Sequence, residues 1–215
     1  MSAYNQSKVL KDAAGNPTGV LVSPRAKMIY PSLFATSLPR GQEEGEKARY
    51  GVALLFPKEA DLAPFVTRKN ELVSEKLSPA AQKTTKVKNP FLKVTEEDQP
   101  KIWAKLEAAG LNPADFPVML RCFAKFKPTV KASDMSDVLD EEQVYDGRWC
   151  RASINFYWYD HPTGGKGVSA GLNNVQLLEN DTPLPRSGGS NADNEFEAAD
   201  VKGAGSGASA DSVFA

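Results

Sequence analysis

Within the segment VYDGRWCRASINFYWYD, Trp149, Arg151, Ser153, Asn155, Tyr157 and Tyr159 recur at every second position. On an extended strand that spacing brings them to one face, while Cys150, Ala152, Ile154, Phe156 and Trp158 line the other. The second set is apolar and suits a core. The first mixes flat rings with a guanidinium and hydrogen-bonding groups, a combination that stacks bases and neutralises phosphates along a single nucleic-acid strand. The same rings would also serve to pack beneath another element, because aromatics favour strands in general. A second stretch repeats the arrangement: Arg121, Phe123, Lys125 and Lys127 share one side of a strand expected over Val118–Lys127, with Cys122, Ala124 and Phe126 on the other. Lys166, in the hairpin loop PTGGKG, is a further phosphate-contact candidate. The loop is not a phosphate-binding P-loop, since Gly167 stands where Ser or Thr is required after the lysine.

These residues need strands to carry them. Val20 to Tyr30 reads as extended, with Pro24 marking an edge or a bend. Arg49 to Phe56, RYGVALLF, alternates as a strand. The period then changes: Leu62, Phe65, Val66, Leu72, Val73 and Leu77 fall on one helical face, with Asp61 as cap and Pro64 in the first turn. A second helix is expected from near Asp98 to Ala109, stopped by Gly110. Between the two helices lies a basic connection with Lys83, Lys86 and Lys88, readable as a solvated loop or as a mobile arm closing over a bound strand. After the Trp149–Tyr159 strand, a turn at Asp160–Gly165 leads into a last strand, Lys166 to Leu178. The expected class is mainly β with helical insertions, a small closed or partly closed barrel. Residues 1–18 are expected as a loose arm, 19–182 as the folded domain, and 183–215, rich in Gly, Ser, Ala, Asp and Asn, as a disordered acidic tail.

Composition narrows the chemistry. A chain of 215 residues with 41% hydrophobic residues holds one good-sized domain plus appendages. It has no apolar run near the roughly 18–20 residues that span a bilayer, and no secretory signal at its start, so no membrane association and a cytoplasmic location, the host's if the chain is phage-encoded, are the expectation. Two cysteines, Cys122 and Cys150, and one histidine, His161, make neither a zinc set nor a persuasive disulfide. No nucleophile, base and oxyanion donor come together, so neither enzyme activity nor a cofactor is expected. The net charge is −1. Acids outnumber cations after Asp181, however, which leaves residues 1–180 with a positive excess able to form a local basic groove.

With these residues laid out, the chain resembles a phage-encoded single-stranded DNA-binding protein family built on the OB fold. The likeness is carried by VYDGRWCRASINFYWYD, by GGKGVSAGLNNVQLL and, earlier, by YGVALLFPKEAD, and it covers roughly residues 20 to 180. It implies a five-stranded Greek-key barrel elaborated by helices, sequence-tolerant binding of single-stranded DNA, and a role in phage DNA replication or recombination. Many single-strand binders end in an acidic tail with a terminal aromatic that docks replication or recombination proteins. Here the aromatic candidates are Phe196 and Phe214, with Ala215 after the latter and the denser acids around the former. A strand-annealing recombinase and a non-DNA protein-interaction module stand as alternatives, and self-association into a homo-oligomer is left open.

Overall fold

Pro24 has no amide hydrogen to give to a ladder, and the extended run that begins the domain bends there. On either side of the bend lie β2 (Pro17–Val22) and β3 (Ala26–Ser37). The structure, a computed structural model, describes residues 4–38 and 48–185. Strand β3 pairs antiparallel with β4 (Arg49–Phe56), and β4 antiparallel with β7 (Val118–Ala124). Next, β7 runs parallel to β10 (Gly165–Leu177), which is antiparallel to β9 (Trp149–His161). Strand β9 closes the circuit by pairing with β3 at Ala26–Cys150 and Lys27–Trp149. Further along, β9 takes β2 as its neighbour instead. The result is the five-stranded OB barrel, in which the first strand is shared around the bend.

The barrel interior follows the alternation of its strands. Met28, Val52, Leu54, Leu120, Cys122, Cys150, Ile154, Phe156, Ala170 and Leu172 are buried there. Helix α1 (Ala63–Lys76) closes one end, with the Phe65 ring set edge-on against Phe156 at 5.8 Å. The N-cap is Leu62 and not the expected Asp61, whose carboxylate accepts the Ala63 N–H at 2.9 Å from one residue further out. Both thiols are free and fully buried. Burial pushes the Cys150 thiol up to about 12 and Cys122 higher still.

A second core lies outside the barrel. Ile29, Ala53, Leu55 and Met119, on the outer face of β3, β4 and β7, pack against Ile102 and Leu106 of α3 (Pro100–Ala108), with Phe116 and Leu184. That is why RYGVALLF is apolar at both parities from Val52 onward: both faces are covered. Two ion pairs, each with a buried lysine, fasten this layer. Lys105 of α3 binds Asp146, and Lys27 of β3 binds Asp181 at 2.6 Å while also donating to the Gly147 carbonyl at 3.1 Å.

Several elements differ from the sequence reading. Residues expected as a loose arm form β1 (Lys8–Lys11), paired with β2 in a hairpin. Its turn is set by the Asp12 carboxylate, which accepts the Ala14 and Asn16 amides at 2.9 and 2.8 Å, and by Gly15 at φ 86°. The basic connection is structured as α2 (Pro79–Thr84), β5 (Val87–Lys88) and β6 (Phe91–Lys93), of which β5 joins β10 in parallel and β6 joins β7. The short strand β8 (Thr129–Lys131) pairs with the far end of β10. Among the described residues no helix is long and apolar enough to cross a membrane, and no group of metal-binding side chains assembles. The acidic segment after residue 185, with Phe196 and Phe214, lies outside the described residues.

Candidate functional site

Strand register arranges the outer face of the barrel in rows. One row runs Trp149, Lys27, Leu55, Met119, Leu92, and it is covered by the second core. Another runs Ser32, Gly51, Phe123, Gly171, Asn155, Val20, and there the cover of α3 stops. Next to it along β9 and β10 come Tyr157 beside Ser169, then Tyr159 beside Gly167, with Lys88 of β5 on the other side of Gly167.

Glycines give this face its shape. A methyl group on Gly167 would stand 2.5 Å from the Tyr159 hydroxyl oxygen and 2.9 Å from Lys88 Cβ, so the Tyr159 ring lies across the strand in the space a side chain would fill. The Phe123 ring lies in the same way over Gly51, where a Cβ would come within 2.9 Å of Phe123 Cδ1. Over Gly171 it is the Asn155 amide that fills the gap. Rings laid flat along a sheet present π-faces outward, which is the geometry for stacking planar ligands. Tyr157 is 38% exposed, and Phe123 and Tyr159 are half-buried.

Arg25, Lys27, Lys58, Arg68, Lys105, Lys131 and Lys166 each sit within ion-pair distance of a carboxylate. Arg49, Lys88, Arg121, Lys125 and Lys127, all around the open row, have no acidic partner among the described residues. Unpaired cations beside exposed rings create a positive field over an aromatic floor.

The sequence-derived site residues divide into two groups. Arg121, Phe123, Tyr157 and Tyr159 share the open face. Lys125 and Lys127 border it, but β7 ends at Ala124, so they stand in a bend and not on the strand. Phe126, expected on the inner side, is 85% exposed between them, because the chain has left the ladder ahead of Pro128. Trp149 is drawn into packing: its Nε1 donates to Asp181 at 2.8 Å, the Arg25 guanidinium lies 3.7 Å from its ring centroid, and Phe116 stands at 6.2 Å. Along β9 it is roughly 26 Å from Tyr157 at about 3.3 Å per residue. Arg151 donates from Nε to the Ser23 carbonyl at 3.1 Å and lies over the Tyr4 ring; burial lowers its pKa. Lys166 has the parity of Val168, facing away from the open row, and is paired with Asp160 at 2.9 Å.

Two residues at this face, Phe126 and Tyr30, were not read as part of it from the sequence, and Lys88 was read only within the basic connection. Lys88 reaches the face only through the parallel pairing of β5 with β10, and Phe126 only because the strand ends early. Tyr30 sits in a β-bulge of β3, where one extra residue separates the Ile29–Ala53 and Ser32–Gly51 pairs. Its φ is 51°, its N–H donates to Asp146 at 2.6 Å, and the residue is 45% exposed. No local sequence signal marks it, since glycine is the usual residue for that backbone region.

Comparison with known proteins places this surface in context. A family model described as Enterobacter phage Enc34, ssDNA-binding protein, matches residues 20–204. The solved structure of the single-stranded DNA-binding protein from bacteriophage Enc34 in complex with ssDNA is similar, with a TM-score of 0.60 at 16% identity over 78% of this chain and 90% of that one. The single-stranded DNA-binding protein gp2.5 encoded by bacteriophage T7 gives a TM-score of 0.53 at 15% identity over 87% of this chain and 98% of that one. No curated protein sequence matches the chain significantly. At these identities the structural likeness establishes the fold.

Proposed function

Since the chain belongs to the Enterobacter phage Enc34 ssDNA-binding protein family, we propose that it binds and protects single-stranded DNA, without sequence preference, during phage DNA replication or recombination. The observation that carries this reading is the open face of the barrel, where the Phe123 and Tyr159 rings lie over glycines, Tyr157 is exposed beside Ser169, and cations without an ion-pair partner among the described residues stand around them. Bases stack on these rings. Phosphates are met by Arg121, Lys125, Lys127 and Lys88, and Arg151 adds to the field from the far end of β9. Trp149 and Lys166 act indirectly, the first by holding the covered end of the barrel, the second by pinning the β9–β10 hairpin through Asp160.

Each stacked base contributes about 1–3 kcal/mol, so three rings supply roughly 3–9 kcal/mol before the strand's ordering cost. Opening duplex costs about 1.4 kcal/mol per base-pair step. With a footprint on the order of 4–16 nucleotides for one OB fold, a protomer captures exposed strand and leaves long duplex closed. Stacking and phosphate contact read no base identity, which accounts for the sequence tolerance. No step requires bond making or breaking.

The test is a titration of the full chain with labelled single- and double-stranded oligonucleotides of mixed sequence at two salt concentrations. Tight, salt-sensitive binding of the single strand, with little dependence on sequence, is expected. Equal affinity for duplex, or none for either, would reject the reading.

A further inference from the structure

Beside the open row the surface deepens into a cleft of about 560 Å³, set between the outer faces of β3, β4 and β7 and the first turn of α3. Tyr30, Ser32, Arg49, Lys101, Arg121 and Phe123 line it. Stacking on a sheet needs no cavity, and this volume lies within the roughly 300–1,000 Å³ of sites that enclose small molecules. Its chemistry is two-sided. Tyr30 and Phe123 bring aromatic rings, and Arg49, Lys101 and Arg121 bring cations with no acidic partner among the described residues. A planar group bearing a phosphate matches both.

Tyr30 is held there against the preference of its own backbone. A φ of 51° disfavours any residue with a Cβ, and the bulge turns this residue out of the alternation that buries Met28 and Ile29. Asp146 maintains the arrangement by accepting the Tyr30 N–H at 2.6 Å while its other oxygen binds Lys105, whose ammonium lies 4.6 Å from the Tyr30 ring centroid. A strained residue locked by a buried ion pair, with its ring lining a cavity, is the pattern of a preorganised binding wall.

We propose that the cleft is a mononucleotide subsite: one nucleotide of a bound strand leaves the surface path and inserts its base against Tyr30 and Phe123, with its phosphate on Arg49 and Arg121. This rests on the reading that the chain binds single-stranded DNA, and it deepens that reading. Phe123 lines the cleft and also belongs to the open row, so an inserted nucleotide is continuous with its stacked neighbours. One anchored nucleotide fixes where the rest of the strand lies, giving a protomer a defined register on a sequence it does not read.

The test uses the full chain with (dT)20 and with dTMP. Replacing Tyr30→Gly relieves the backbone, so melting is expected no lower than in the parent, while (dT)20 affinity falls roughly tenfold, the loss of one stacked base. Tyr30→Asn, which also tolerates the left-handed region, is the second variant should glycine loosen the bulge. In amide spectra, dTMP at millimolar concentration is expected to shift Ser32, Gly51 and Arg121 and to leave Asn155 and Tyr159 in place. Unchanged (dT)20 affinity in both Tyr30 variants, alongside weakened binding in Tyr157→Ala, would overturn the subsite while leaving the open-row reading intact. If the parent itself fails to bind (dT)20, it is that underlying reading that falls, and the subsite with it.

Discussion

Three side chains of one strand show how position decides what a ring does. Trp149, Tyr157 and Tyr159 share a parity on β9, yet the first is fixed by Asp181, Arg25 and Phe116 while the other two lie on the uncovered end. Trp149→Ala is therefore expected to destabilise the fold by about 3 kcal/mol, with the remaining folded protein binding single strands almost as before. Tyr157→Ala is expected to leave urea unfolding nearly unchanged and to weaken single-strand affinity about five- to hundredfold. Urea melts and fluorescence anisotropy on both variants separate the two roles. The glycines beneath the rings offer a sharper contrast. A methyl on Gly167 collides with the Tyr159 ring, which can swing away, and with Lys88 Cβ at 2.9 Å, which moves only with strand β5; one on Gly51 meets the Cys122 carbonyl oxygen at 2.9 Å in the barrel wall itself. Gly167→Ala is thus expected to lower stability by about 0.5–3 kcal/mol, through displacement of β5, and to lower affinity as far as Tyr159→Ala does. Gly51→Ala is expected to lower the melting temperature. Residue types and period-two spacing were enough to place Arg121, Phe123, Tyr157 and Tyr159 on outward strand faces. They could not separate Trp149 from that group, because strand parity does not say which end of a face another element will cover.

Elements outside the barrel decide that cover, and two carboxylates hold them in place. Asp146 joins α3 to the Tyr30 bulge through Lys105, which is 5% exposed. Asp146→Asn leaves a buried ammonium without its counter-charge, and a loss of about 3–5 kcal/mol in urea unfolding is expected. Asp181 ties the segment after β10 to Lys27 and Trp149. Burial alone would raise its pKa, but the hydrogen bonds from Lys27, the Thr182 amide and Trp149, with the charge of Lys27, outweigh burial and hold it below the usual carboxylate range. A carboxylate with a depressed folded-state pKa stabilises fully above its unfolded value, about 3.9, and that contribution disappears as the pH falls through the folded value. Urea melts between pH 7 and pH 3 are expected to show stability dropping below about pH 4, with a shallower drop in Asp181→Asn, which is weaker at neutral pH from the outset. The barrel strands, the two longer helices and the Pro24 bend were legible because alternation, helical period and capping are local signals. The N-terminal hairpin, α2, β5 and β6 were not: these are short, polar segments whose order comes from pairing with strands distant in sequence.

Across the whole molecule the net charge of −1 gives no hint of affinity for a polyanion, because cations and acids are unequally distributed. Acids crowd the Asp134–Asp146 connection and the chain after Asp181, whereas Arg49, Lys88, Arg121, Lys125 and Lys127, around one open row, have no ion-pair partner among the described residues. Binding should therefore respond to the local field and not to the sum. Each phosphate neutralised on a single strand releases counterions, contributing about −0.7 to the slope of log K against log salt concentration. Arg121, Lys125, Lys127 and Lys88 together with Arg49 predict a slope of roughly −3.5. Lys166→Ala is expected to leave that slope unaltered, since its charge is paired with Asp160 and faces away from the row, whereas Arg121→Ala should make it shallower by about 0.7. A slope near zero in the parent would mean that the rings act without the cations. A slope that Lys166→Ala reduces as much as Arg121→Ala does would mean that the strand follows a different path around the barrel.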